Sequence, residues 1–361
     1  MSFFLAAVGF MALIVLHELG HFTVAKAVGM RVERFALFFP PLILRKKRGE
    51  TEYALGLLPL GGYVKISGMS PAEDLPDEVR TRAYYAQPVW KRIAVIAAGP
   101  VVNLVLALVL LVAFAWLIGS PGLTNQVASV TPGLPAATAL EPGDEVVAVD
   151  GVRGGPIELS EELGEHRCAR TPPVDGCEAS SPVALTVDRG GQERQIWLTP
   201  VYDETAQRMV VGFERAQGPR EPLPFGESVD LAVSQFLLVA RETVKVPLYL
   251  IDPERRDEIS GVVGAYEVTR QVIDDDIGDA VRILALISLS LAIINLFPFL
   301  PLDGGHIFWG VVEKIRRKPV SYATMERAGY VGIMLLIPLV LIGLYNDVIV
   351  RIIGGEGFGV P

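Results

Sequence analysis

The chain has 361 residues, 51% of them hydrophobic and 20% charged, with a mean hydropathy of +0.41. That balance is too apolar for an ordinary soluble domain and too charged to lie wholly in lipid. A formal charge of -9 and a pI near 5.1 exclude a general nucleic-acid binder, which needs a basic face to neutralise phosphates.

In chain order, four stretches carry the roughly 20 apolar residues that a helical crossing needs. Residues 2–16 are apolar and run through a polar patch at His17, Glu18 and His21 before apolar character resumes at 22–28. Residues 93–118, 283–302 and 328–346 carry no charge at all. No basic residue precedes the first run and no small-residue cleavage site follows it, so this span is expected to persist, unlike a cleaved signal peptide. The expected fold is a polytopic α-helical membrane protein with four transmembrane helices, at 1–28, 92–119, 282–302 and 328–347. Between and after them lie a segment at 29–91, an exported part at 120–281, a connection at 303–327 and a tail at 348–361.

Lys and Arg near the span ends set the expected orientation. Segment 25–92 holds 12 basic against 7 acidic residues, including Arg45-Lys46-Lys47-Arg48, and 303–327 holds 5 against 3. Both are expected to be cytoplasmic. Segment 119–282 holds 14 basic against 28 acidic residues, which marks it as exported and puts both termini outside.

Within the exported part, Val127–Val130, Glu145–Asp150, Val183–Asp188, Gln195–Leu198 and Met209–Phe213 read as short strands. Asp150-Gly151 and Arg189-Gly190-Gly191 punctuate them as turns. A β-rich insert over 120–215 is the expectation, followed by a proline-rich break at 219–224 and a helix over 226–250, at the surface or simply packed. Cys168 and Cys177 are the only cysteines. The intervening Thr171-Pro172-Pro173 and Asp175-Gly176 are turn-forming, and an exported segment is where disulfides persist, so the two are expected to pair; two free surface thiols are the alternative.

The chemistry sits in His17-Glu18-Leu19-Gly20-His21. Residues four apart share a helix face, so two imidazoles can grip one zinc ion while Glu18 serves as general base. Ionisable groups within an apolar span cost a few kcal/mol each, and three within five residues need a compensating partner. A metal supplies one; a buried hydrogen-bonded cluster is the plainer reading. Hydrolytic zinc wants a third protein ligand. Asp303 and His306 are the ionisable residues at the end of the third span. At about 1.5 Å per residue, His17, His21 and Asp303 reach a similar depth, towards the cytoplasmic side.

These residues resemble the site-2 protease family of intramembrane zinc metalloproteases, in the bacterial group with an exported PDZ domain. The resemblance rests on the His-Glu-Leu-Gly-His helix, Leu58-Pro-Leu-Gly-Gly-Tyr-Val-Lys65, Ala98-Gly-Pro-Val-Val-Asn103 and the stretch from Asn295 to Gly305. It implies His17, His21 and Asp303 as ligands of one zinc ion and Glu18 as catalytic base. One departure is that Leu300 fills the slot where the family usually places its second proline, and Pro301 follows. The resemblance further implies a membrane-associated β-loop at about 53–66 that pairs with an unwound substrate. Gly61, Gly62 and Tyr63 would hold substrate main chain there, with Asn295 similarly placed; a simple cytoplasmic hairpin is the alternative. Thr131–Ala137 and Pro142–Gly151 resemble PDZ text, and Val210-Val-Gly-Phe213 resembles the groove strand and carboxylate turn of a circularly permuted form, giving Gly212 and Phe213 as peptide-binding positions. The implied substrate is a single-pass membrane protein, such as an anti-sigma-factor-like regulator already clipped by another protease, in a lipid bilayer and with no nucleic acid. A catalytically silent PDZ scaffold in the membrane is the alternative function.

Overall fold

The computed structural model describes residues 2–69, 73–170, 172–203, 208–250, 252, 255–256, 259–275 and 277–354, and divides into two compact units: 2–117 with 223–354, and 118–222.

The first unit is mainly helical, because an apolar segment can satisfy its peptide groups without water only by bonding them internally. It comprises α1 (Ser2–Ala27), the strands β1 (Val32–Arg48) and β2 (Thr51–Ile66), a short α2 (Asp77–Arg80) and α3 (Val89–Ala113). Among the described residues four helices are long and apolar enough to cross a membrane: Ser2–Ala27, Val89–Ile118, Gly278–Asn295 and Ala323–Ile353. The helix α3 is central, packing against α1 and against three helices from the far end of the chain.

The two strands make more than a hairpin. Arg34 stands opposite both Lys65 and Glu52, and Phe35 opposite both Val64 and Tyr53, so the start of β1 lies between two stretches of β2. The stretch 62–66 therefore pairs on one side with β1, and its other edge has no strand partner among the described residues. Ala25, Met30, Val32, Ile66 and Val95 form one buried cluster that fastens this sheet to α1 and α3. Sequence pattern alone marks strand character only from about residue 53. The earlier strand escapes it because Pro40, Pro41 and the run Arg45–Arg48 break any alternation.

The second unit contains β3 (Ser120–Val130), β4 (Glu145–Val149), β5 (Val152–Arg153), α4 (Pro156–Gly164), β6 (Val183–Asp188), β7 (Glu193–Leu198), β8 (Val201–Asp203), β9 (Arg208–Val210) and β10 (Phe213–Glu221). Strand order in the main sheet is β10-β3-β4-β6-β7, with β5 on β4, while β8 and β9 form a separate hairpin. Val127, Val146, Val149, Leu159, Val183, Leu185 and Val187 are buried in its core. Each such side chain contributes about 1.5–3 kcal/mol on burial. Two expectations change here. Met209–Phe213 is not one strand, because Gly212 sits at φ 86°, a left-handed conformation that ends β9 and lets β10 start on a new line. The unit also extends past 215, since Arg220 and Glu221 pair with Pro121 and Ser120. Cys168 and Cys177 form a disulfide with a Cα–Cα separation of 5.8 Å.

Back in the first unit follow α5 (Phe225–Tyr249), α6 (Val262–Asp275), α7 (Ile277–Asn295), α8 (Asp303–Arg316) and α9 (Tyr322–Tyr345). The helix α5 packs on α3 and α7 through Ala232, so it is a packed helix of this unit. The expected third span to 302 stops at Asn295, three residues ahead of Pro298, which disfavours helix before it. The segment 303–327 is no plain connection, since it carries α8, which ends at Arg316 and is followed by Arg317 in the left-handed conformation ahead of Pro319. Nor does the last span end at 347: α9 continues as π-helical turns over Asn346–Ile353. Asp347 lies within that continuation. Its buried carboxylate accepts from the Ser260 hydroxyl at 2.9 Å and from the backbone N–H groups of Gly261 and Gly264 at 2.9 and 2.7 Å. These are amides at the start of α6 that have no partner within their own helix.

Candidate metal centre

His17 and His21 lie one turn apart on α1, and both are buried. Asp303 opens α8, where a carboxylate is also favoured by the amide dipoles of the first turn. His17 Nε2 stands 3.2 Å from His21 Nε2, and Asp303 Oδ2 is 3.2 Å from the first and 3.4 Å from the second. Three donors bound to a tetrahedral ion at about 2.0–2.1 Å are separated by about 3.3 Å, so this triangle matches the edge length of a zinc site. Among the described residues it is the one group of three His, Cys, Asp or Glu donors that close together. Asp303 rather than His306 completes it.

Several devices hold the triangle. His21 Nδ1 lies 2.9 Å from the Val95 carbonyl, which fixes Nε2 as the free lone pair. Gly99 on α3 presses against both rings, and a Cβ there would lie 2.8 Å from His17 Nε2 and closer still to His21. Any side chain at Gly99 would displace the two imidazoles. The loop 296–302 folds back so tightly that Gly304 lies under the Leu296 carbonyl, which brings Asp303 to α1. At the other end of α8, Glu313 receives a two-pronged ion pair from Arg92 at 2.5 and 3.1 Å, tying α8 to the start of α3. Arg92 also lies over the Tyr84 ring. Burial pushes the Tyr84 hydroxyl up to about 12, so it stays a neutral donor at any physiological pH. These groups, with Leu300, Pro301, His306 and Trp309, line a cavity of about 760 Å³ beside the centre. That cavity has no counterpart in the sequence reading, because its walls come from residues 69 to 326 and share no motif.

Glu18 follows His17 and is turned about 100° away from it around α1. Its side chain lies against Gly62, where an added Cβ would come within 2.9 Å of Glu18 Cγ. The structure thus brings His17, Glu18, His21, Asp303 and the unpaired edge at Gly62-Tyr63 into one neighbourhood. Gly61 precedes that edge at φ 144°, beside the Phe39 ring. Asn295 is the last residue of α7, half-buried, with the proline-containing turn between it and Asp303. Gly212 and Phe213 belong to the other unit.

An imidazole pair at i and i+4, a carboxylate closing the triangle and a glutamate between the histidines define a metal-dependent hydrolase of the metalloprotease kind. The family model of peptidase family M50 matches residues 5–339, and the chain belongs to that family. It is 31% identical over 394 residues to the zinc metalloprotease Rip1 of Mycobacterium tuberculosis, covering 96% of each chain. It is 32% identical over 355 residues to a Clostridium perfringens protein whose name proposes a zinc metalloprotease, covering 96% of this chain and 98% of that one. Among solved structures, the PDZ domain of an SdrC-like protein from Listeria monocytogenes aligns with 27% of this chain and 92% of its own at 17% identity and a TM-score of 0.21. The chain is a zinc metalloprotease.

Proposed function

We propose that this protein is an intramembrane endopeptidase with one catalytic zinc, cutting single-pass membrane proteins within or near their transmembrane segment. The observation that carries the reading is the donor triangle of His17, His21 and Asp303 built into helices apolar enough to cross a bilayer. Val101, Val105 and Val109 repeat along the exposed side of α3, and α9 exposes Met334, Val340 and Leu341, as lipid-facing helices do. In this reading the basic flanks face the cytoplasm, β1 and β2 carry a membrane-associated β-loop on that side, and the β-rich unit and both termini face outwards.

His17, His21 and Asp303 would hold the zinc, which supplies a Lewis acid that polarises the scissile carbonyl and acidifies water. Glu18 takes a proton from the attacking water as the C–O bond forms and then delivers it to the amide nitrogen, so that the C–N bond breaks and the amine leaves. A helical substrate protects its peptide bonds within itself and must be extended first. The free edge at Gly62-Tyr63, next to Glu18, offers an extended segment backbone partners at the point where the base stands. Asn295 would hold substrate main chain beyond the proline turn. The β-rich unit acts as a filter, admitting substrates shortened by an earlier cut, with Gly212 and Phe213 at its peptide groove. Such a protease performs the second cut of a signalling cascade, on a regulator of the anti-sigma-factor kind.

Metal analysis of the purified wild type and Glu18→Gln, alongside cleavage of a reporter transmembrane substrate, tests this. Zinc in both proteins with cleavage in the wild type alone supports the reading; cleavage by Glu18→Gln near the wild-type rate overturns it.

A further inference from the structure

The two zinc-binding imidazoles are supported unequally. His21 has its Nδ1 against the Val95 carbonyl at 2.9 Å, whereas His17 Nδ1 is buried and meets no partner. With Nε2 committed to the triangle, His17 must carry its proton on Nδ1, and a buried N–H without an acceptor costs about 1–3 kcal/mol. On the neighbouring helix Asn103 is fully buried, and neither its Oδ1 nor its Nδ2 meets a partner. Three orphaned polar atoms thus occur on two helices in contact, within a unit whose other polar groups are largely paired.

The helix register places them together. Contacts between α1 and α3 run antiparallel: His21 meets Val95, Gly20 meets Ala98 and Val102, and His17 meets Gly99. Asn103 lies one turn beyond Gly99, and a helical side chain leans towards the N-terminus of its own helix. Its amide therefore leans back towards Gly99, the residue against which the His17 ring lies. The Ser288 hydroxyl nearby donates to the Asn103 backbone carbonyl at 3.0 Å, and neither atom of the side-chain amide meets a partner. One water accepting from His17 Nδ1–H, donating to Asn103 Oδ1 and accepting from Nδ2–H satisfies all three atoms, and a buried water typically makes about three such bonds.

We infer that Asn103 is a positioning residue for the metal centre, holding His17 in the ligating tautomer through one shared buried water, as the Val95 carbonyl holds His21 directly. This rests on reading His17, His21 and Asp303 as a zinc site. Outer partners of ligating histidines typically contribute about 10–100-fold in metal affinity.

The test compares wild type, Asn103→Leu and Asn103→Asp by zinc competition against a chelator, with kcat and KM on a reporter substrate and the thermal stability of each metal-free protein. Asn103→Leu should bind zinc about 10–100-fold more weakly, with kcat lowered and KM unchanged, while its metal-free form should still melt in one cooperative transition, which separates weaker binding from lost folding. Asn103→Asp keeps an acceptor and should restore most of the affinity. Zinc affinity in Asn103→Leu within about 3-fold of wild type overturns the inference, as does a raised KM at unchanged affinity, which would make Asn103 a substrate contact. Failure of wild type itself to bind zinc overturns the underlying reading instead. Should Asn103→Leu not fold, 15N-histidine NMR of the zinc-loaded wild type decides: slow solvent exchange at the Nδ1–H of both His17 and His21 is expected, and rapid exchange at His17 refutes the shared water.

Discussion

The β-rich unit and the metal centre are assembled by different means. In the first, neighbours in space are mostly near neighbours in sequence: β6 pairs with β7 across a turn at Arg189-Gly190-Gly191, and the core is a set of alternating Val and Leu side chains. Its stability is spread over many similar contacts, so no single residue commands it. In the second, His17 and Asp303 come from opposite ends of the chain and meet beside a glycine on a third helix that presses on both histidines. Stability there is subordinate to geometry, and polar groups are retained at a cost in apolar surroundings. A change to one residue in the β-rich unit should therefore be felt as lost stability, and at the metal centre as lost chemistry.

The largest expected effect separates these two. Glu18→Gln should keep zinc and lose hydrolysis by about 10²–10⁴-fold, since the proton transfer alone is removed. Asp303→Ala should lose both, and metal content measured beside turnover distinguishes the two variants. If Asp303→Ala retains full zinc while His306→Ala does not, the third ligand has been misassigned.

Next in size is the core of the β-rich unit. Leu185→Ala removes a fully buried side chain and should destabilise that unit by about 2–5 kcal/mol. Hydrogen exchange should locate the loss to residues 118–222, with zinc content and cleavage of a short reporter unchanged. Loss of zinc in this variant would erase the contrast between the units.

Smaller again is the disulfide. Cys168→Ser closes no loop and should lower the stability of the unit by about 2–3 kcal/mol at most, given the separation of 9 residues. Protection of both thiols from an impermeant reagent, lifted by reductant, checks the pairing together with the outward placement.

The smallest effect is a dependence on pH. Arg189 donates to both carboxylate oxygens of buried Asp144 at 2.7 Å, and the guanidinium holds that carboxyl below the usual carboxylate range. A depressed pKa in the folded state means that the stabilisation is fully present above about pH 4, the ordinary value for Asp, and is lost as pH falls through the folded value. Thermal melts followed in the β-rich unit should therefore decline below about pH 4, and Asp144→Asn should start lower and decline less. An equal decline in both would assign the acid sensitivity to other groups.

Much of this was legible in residue order. The apolar runs marked four helices long and apolar enough to cross a membrane, because length and low charge are properties of the sequence itself. His17-Glu18-Leu19-Gly20-His21 marked a metal helix because i and i+4 share a face whatever surrounds it. Alternating Val and Leu marked the strands of the second unit. Where the sequence misled, a single residue in an unusual conformation was responsible, as at Gly212, or a contact with a distant segment lay at the spot, as at Asp347, whose carboxylate caps α6 from within the extension of the last helix.

Other features exist only in three dimensions. That β1 joins the sheet, that the edge at Gly62 stands against Glu18, and that Asp303 rather than His306 closes the triangle all depend on contacts between segments far apart in the chain. The pairing of Arg92 with Glu313 and the burial of Asn103 beside the ligand helix are of the same kind. Local periodicity records which face of an element is apolar, a property of neighbouring residues. Which polar groups share a buried space is decided by how helices pack, and only the folded chain specifies that.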